Sequence, residues 1–359
     1  MPTRPLVTSY KDDLRLFPDM WHKVGLALGV AVVLYYPFYV GNEWLTVGNH
    51  ALIAIVGAVS LMMLTGFSGQ ISLGHAAFLA IGAYTVALGG AAWHLPFWLL
   101  LPLGGLICAA VGLATGVFAL RLKGLYLAIV TIGLLELVRH VLAWKVGGKS
   151  VGTSVPVYTW FGQSEASMDE FRVAMDYGPL TLWPGQKLYF IFLAIAVLVC
   201  WCAKNIHRTG AGRAMMAVRD HDLAAAALGV NPARAKILSF ALSSFFAGIA
   251  GGMLAIAQET ISVDPFYLDM SVEYIAIIVL GGIGTVFGAV TGAIAFVVIA
   301  PLLQKVGGFL PLISELSPAL QETMLFSALV IGFLLVEPLG LLGVWLRIKR
   351  YFMAWPFRY

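Results

Sequence analysis

Charge is what this sequence has least of. Asp, Glu, Lys and Arg make up 11% of its 359 residues, against about 25% in an ordinary soluble domain, and this excludes a water-soluble globular fold. Cysteine is scarce too: Cys108, Cys200 and Cys202 are the three present, each inside an apolar stretch. They read as buried small hydrophobes, so neither a disulfide framework nor a metal site is expected from them. Residues 1–20, MPTRPLVTSYKDDLRLFPDM, lack the apolar core of a signal peptide, and the first apolar run is expected to stay in the mature chain. The seven histidines are scattered, so the residue sets of an intramembrane enzyme are not expected to assemble.

Apolar sequence is what the chain has in abundance, at 60% of residues. Runs of spanning length read at about 24–40, 50–66, 72–90, 97–120, 124–143, 187–203 and 237–257, followed by an interrupted pair near 272–283 and 285–303 and a last run near 322–343. The first of that pair is too short to cross a bilayer and reads either as a half-helix or as a sign that the break falls elsewhere. The fold class expected is therefore an all-α, polytopic integral membrane protein of about ten transmembrane helices, some short or broken. Residues 1–23 form a cytoplasmic N-terminal segment and 24–343 the transmembrane domain, with an extracytoplasmic insertion at 145–186 and a cytoplasmic segment at 204–236. Cations place these sides, because loops rich in Lys and Arg stay inside. Residues 344–359 form a basic and aromatic tail suited to anchoring on membrane lipid, and both termini fall in the cytoplasm. The net charge of +4 is spent at span ends on orientation and lipid head groups, so no nucleic-acid partner is expected.

Polar residues inside this apolar frame mark the candidate sites. The 204–236 segment sets Lys204, Arg208, Arg213, Arg219, Arg234 and Lys236 against two acids, Asp220 and Asp222. Its middle, Gly212 to Leu228, reads as one short helix closed by Gly229, with Pro232 beyond it. A second passage, Leu64 to Leu88, interrupts apolar sequence with Ser68, Gln70, Ser72 and His75 among glycines. It reads either as a broken span beside a permeation path or as a loop at the cytoplasmic surface, and composition does not choose. Within the fifth span, Glu136 and Arg139 lie three apart on one helix face and are expected to form an intramembrane ion pair. GGIGTVFG (281–288) lacks the preceding strand of a dinucleotide site and reads as close helix packing or as a tight turn between half-helices, while GGKS (147–150) lacks the first glycine of a phosphate loop. No ATP site is expected in this chain.

TGFSGQISLGHAAFLAIGAYTVAL, beginning at Thr65, resembles the signature of LivM-type permeases of branched-chain amino acid ABC importers, shared in part with urea and amide importers. Residues 121–142 (RLKGLYLAIVTIGLLELVRHVL), 208–255, 271–293 and the terminal EPLGLLGVWLRIKRYFMAWPFRY are similar to the same family, in the same order along the chain. The resemblance implies a membrane permease subunit for branched-chain or similar small amino acids, in a bacterial cytoplasmic (inner) membrane. Its implied partners are a homologous second permease subunit, two ATP-binding cassette subunits and an extracytoplasmic solute-binding protein. ATP would be used by those partners, with no cofactor bound by this chain. It further implies ATPase coupling through Arg213, Asp222, Leu223, Ala224, Ala225 and Gly229, where the importer pattern Glu-Ala-Ala, three residues, Gly reads with Leu223 in place of the Glu. A substrate pathway along Ser68, Gln70, Ser72 and His75 is expected, and urea or a short amide is the alternative solute. An ion-coupled carrier would need a path of intramembrane acids that Glu136 alone does not supply.

Overall fold

The computed structural model describes residues 20–93, 95–120, 124–146, 151–152, 175–177, 180–182, 184–258, 260–307 and 340–354, with a few positions between 324 and 337. Six helices are long and apolar enough to cross a membrane by length and composition among the described residues, and Gly29–Tyr39 and His75–Gly90 are shorter apolar helices. The chain is an all-α polytopic membrane protein. Most of the 145–186 insertion, the expected 322–343 span and residues 1–19 lie outside the described residues.

The first two helices are α1 (Met20–Tyr39) and α2 (Asn42–Met62). A π-helical turn, Met63–Phe67, prolongs α2 into a span of 26 residues. Next come α3 (His75–Trp93), α4 (Phe97–Ala119), α5 (Leu125–Val146) and α6 (Pro184–Arg208). Two short helices, α7 (Gly210–Asp220) and α8 (Asp222–Ala227), precede α9 (Pro232–Gln258). The described chain ends with α10 (Leu268–Gly281), α11 (Val286–Gly307) and α12 (Gly340–Ala354).

Helices α2 and α9 form the centre, with α9 packed on α4, α3 and α2. Lipid tails are as apolar as leucine, so close van der Waals contact has to hold such helices together. Small residues permit it: a Cβ on Gly82 of α3 would lie 2.0 Å from the Gly248 carbonyl oxygen of α9. Backbone meets backbone at that crossing. Two serines on α9 turn their hydroxyls to their own helix, Ser239 Oγ donating to the Ala235 carbonyl at 3.0 Å and Ser244 Oγ to the Phe240 carbonyl at 2.7 Å.

Two spans are interrupted. Between α2 and α3, residues 69–74 are non-helical. The half-helix expected near 272–283 is α10, which starts earlier, at Leu268; its 14 residues reach about 21 Å, short of a hydrocarbon core of about 30 Å. Gly282 and Gly284 join it to α11 with φ of 115° and 93°, backbone that side chains other than glycine rarely adopt. GGIGTVFG is thus a turn between helices.

Two short antiparallel ladders complete the described chain. Met175–Tyr177 (β2) pairs with Leu180–Leu182 (β3), and Val151–Gly152 (β1) pairs with Thr260–Ile261 (β4). The β1–β4 pair brings the segment after α5 beside the segment after α9. Both lie at the end of the bundle away from α7 and α8, as alternating spans require.

Candidate functional site

Local sequence builds the α7–α8 segment. Thr209 sits in extended backbone and its side chain accepts from Gly212 N–H at 3.2 Å, capping α7. A Cβ on Gly212 would fall 2.1 Å from the Ile206 carbonyl oxygen, so the tight turn out of α6 needs glycine there. Gly212, Met215 and Val218 are the buried face of α7. At His221 the backbone becomes extended, with φ −161° and ψ 107°. The single helix expected over Gly212–Leu228 is therefore two helices, and the redirected chain lets Asp222 meet Lys236 Nζ of α9 at 2.6 Å.

Gly229 closes α8 as expected. It has φ 84°, Val230 N–H donates to the Ala225 carbonyl and Gly229 N–H to the Ala226 carbonyl, both at 3.0 Å. That is a Schellman closure, and Asn231 then caps α9 by accepting from Arg234 N–H at 3.2 Å. The result projects an apolar tip: Leu223 is 77% and Leu228 85% exposed, with Ala224, Ala226 and Ala227 exposed between them. Ala225 is buried and faces the bundle. Arg213 is exposed, its Nη1 donating to the Arg208 carbonyl at 2.9 Å. Of the coupling residues implied by resemblance, Arg213, Leu223 and Ala224 are thus on the surface, while Ala225, Asp222 and Gly229 hold the segment's shape.

A cleft of about 400 Å³ lies between this segment and the α2–α3 break, lined in part by Gln70, Leu127, Arg219, His221, Asp222 and Lys236. Ser68 and Gln70 are buried at its wall: Ser68 Oγ donates to the Leu64 carbonyl at 2.7 Å, and Gln70 Nε2 donates to Ser68 Oγ at 2.9 Å and to Ser239 Oγ of α9 at 3.2 Å. Ser72 and His75 lie deeper. The amides freed by the break find hydroxyls: Leu73 N–H donates to Thr131 Oγ1 of α5, Ala76 N–H to Ser271 Oγ of α10, both at 3.0 Å, and Gly74 N–H to Ser72 Oγ at 3.3 Å. His75 packs edge-on against Tyr274 at 4.9 Å between centroids, with Nε2 3.5 Å from Ser60 Oγ. The four residues expected along a pathway lie at one break; Ser68 and Gln70 border the cleft, and Ser72 and His75 are buried away from it. The break thus ends beside the 204–236 segment, with the cleft between them.

Arg219 and Thr131 were not singled out by sequence. Arg219 Nη1 donates to the Gly66 carbonyl at 2.7 Å, and its Nε and Nη2 donate to Asp220 Oδ1 at 3.0 Å. In α5, Arg139 Nη1 meets both Glu136 carboxylate oxygens at 3.0 Å, as the three-residue spacing predicts. The Arg139 Cζ stands 3.4 Å from the Tyr267 ring centroid, a cation–π contact. Counted from Leu125, Glu136 is roughly 17 Å along the helix. No group of three or more His, Cys, Asp or Glu is placed to hold a metal ion among the described residues.

The family model described as the branched-chain amino acid transport system permease component matches residues 44–337. The high-affinity branched-chain amino acid transport system permease protein LivM of Salmonella typhimurium is 34% identical over 294 residues, covering 79% of this chain and 68% of that protein. LivM of Escherichia coli shows the same identity and coverage. The autoinducer 2 import system permease protein LsrC of an Enterobacter species is 29% identical over 282 residues, covering 75% of this chain and 74% of its own. No solved structure matches the chain. With over half its length matched, and with the broken α2–α3 and α10–α11 spans both inside the matched region, the chain belongs to the branched-chain amino acid transport system permease family.

Proposed function

We propose that this chain is the membrane-spanning subunit of an ABC importer that carries branched-chain or similar small amino acids into a bacterial cell. It works beside a homologous second permease chain, with two ATP-binding cassette subunits on the cytoplasmic face and a solute-binding protein on the other. The chain lies in the cytoplasmic (inner) membrane with both termini inside. It is not itself an enzyme and binds no cofactor; ATP is bound and hydrolysed by the partner subunits.

The observation that carries this reading is the apolar tip of α8 fixed to interrupted spans. Exposed leucines at the end of a charged segment are poorly placed for water and well placed for a protein surface. Behind them, the Asp222–Lys236 pair and Arg219 tie the tip to α9 and to the α2 break. Hydrolysis in the ATPases moves α7 and α8, and the spans alternate between outward and inward access. The energy comes from the different affinity of each partner for the two states. Solute passes along the α2–α3 break, with Ser72 and His75 on the deeper stretch and Ser68 and Gln70 at the inner mouth. Irregular backbone at membrane depth is characteristic of such paths. The branched-chain preference draws on the LivM relatives, which share 34% of residues where LsrC shares 29%.

The test is leucine uptake into proteoliposomes holding the full complex and its binding protein, with and without internal ATP. Wild type is compared with Ala224→Arg, which places charge on the docking tip at an exposed position. ATP-dependent uptake that collapses in the variant is expected. Uptake that ignores ATP would indicate a carrier or channel, and ATP-driven urea uptake without leucine uptake would change the solute.

A further inference from the structure

The two interrupted spans touch at a pair of glycines. A Cβ on Gly66 would lie 2.8 Å from the Gly284 Cα, so no side chain separates them. Gly66 is in the π-helical turn that ends α2, and Gly284, with φ 93°, is in the turn between α10 and α11. Arg219 of α7 reaches into this junction from the cytoplasmic segment. Its Nη1 donates to the Gly66 carbonyl at 2.7 Å, and the same atom stands 3.4 Å from where a Gly284 Cβ would be. Its Cγ would be 2.9 Å from a Cβ on Gly69, a residue with φ 68°. One side chain thus meets the end of α2, the start of the break and the α10–α11 turn.

The chemistry of the contact is that of a helix cap. Carbonyls in the last turn of a helix have no partner within it. Here the Leu64 carbonyl accepts from Ser68 Oγ and Gln70 N–H, and the Thr65 carbonyl from Gly69 N–H. The Gly66 carbonyl accepts from Arg219 instead, and a cation at that end also meets the negative pole of the helix. Asp220 takes two further guanidinium hydrogens through one oxygen, which fixes the plane of the group on α7. π-Turns recur at functional sites in helices, and the glycine turn at 282–284 has the backbone freedom of a joint.

The geometry points to Arg219 as the positioning residue that transmits motion of α7 and α8 to both interrupted spans together. This rests on the reading of α8 as the ATPase docking tip. When the docked subunits move α7, the guanidinium carries the end of α2 with it, and the Gly66–Gly284 contact passes the displacement to α10. Without that group the ATPases still dock and hydrolyse, but the spans follow poorly.

The experiment compares wild type, Arg219→Ala and Arg219→Lys in the complete reconstituted complex, measuring leucine taken up per ATP hydrolysed. Arg219→Ala is expected to co-purify with the ATPases and to hydrolyse ATP, while uptake per ATP falls roughly tenfold. Arg219→Lys is expected to recover part of the ratio, because an ammonium reaches one acceptor but does not reproduce the planar fork. A merely structural role would lower yield, uptake and hydrolysis together and leave the ratio unchanged, and that outcome overturns the proposal. Should Arg219→Ala fail to assemble, Arg219→Gln carries the same comparison, with the same ratio deciding. Wild-type uptake that ignores ATP would remove the importer reading itself, a result distinct from an unchanged ratio in the variants.

Discussion

The Glu136–Arg139 pair is unequal. Arg139 keeps 12% of its side-chain surface and Glu136 keeps 45%, so the cation is the member that depends on its partner. Removing the carboxylate leaves a largely enclosed guanidinium with the Tyr267 ring as its remaining contact. Glu136→Gln is therefore expected to cost roughly 1–3 kcal/mol, less than a fully buried pair because the carboxylate is half-open. It should lower the Tm and the yield of assembled permease without changing the preference for leucine over urea. Normal yield with an altered preference would move Glu136 from support to solute contact. The pairing was legible in sequence because a spacing of three residues on a helix is a local fact. Arg219 shows the opposite case: its acceptor, Gly66, is 153 residues away, and nothing near Arg219 distinguishes it from the cations that only fix orientation. Ala224 and Ala225 were equally indistinct, since only the seat of α8 on the bundle decides that the first is exposed and the second buried.

Among elements, the α3–α9 crossing tolerates the least change. Gly82→Leu would push a side chain into the Gly248 carbonyl, where even a Cβ would sit at 2.0 Å, and neither backbone has room to give. A loss of about 3 kcal/mol or more is expected, read as early aggregation when the detergent-solubilised complex is heated before size-exclusion chromatography. Gly229→Ala is milder. The residue has φ 84° with nothing near its missing Cβ, so the cost is backbone strain alone, about 1–2 kcal/mol. Frayed α8 should then hold the ATPase subunits less firmly in a pull-down while the bundle keeps its Tm; a lowered Tm with unchanged pull-down would count against the docking role of α8. Glycine made the ends of elements readable: Gly229 as a helix stop and 281–288 as a turn both follow from the residue's own backbone freedom. The break at His221 left no such mark. Asp222 pairs with Lys236 on another helix, and a tertiary contact of that kind overrides the helical continuity that the local sequence on either side of His221 favours.

For the molecule as a whole, the arrangement of ends is the property most open to measurement. The β1–β4 ladder fixes the segment after α5 and the segment after α9 at one end of the bundle, and α7 and α8 stand at the other. The excess of cations in 204–236 predicts that this second end faces the cytoplasm. Single cysteines placed at exposed positions test both statements: Trp144→Cys, Thr260→Cys and Arg213→Cys, each with Cys108, Cys200 and Cys202 replaced by serine or alanine. A membrane-impermeant maleimide added to intact cells with permeabilised outer envelopes should label positions 144 and 260. Position 213 should react only once the inner membrane is opened. Labelling of 213 from outside would invert the chain and move the α8 tip away from any cytoplasmic ATPase. Labelling of 144 and 260 from different sides would break the ladder that joins them, and with it the odd number of crossings on which the placing of α7 and α8 depends.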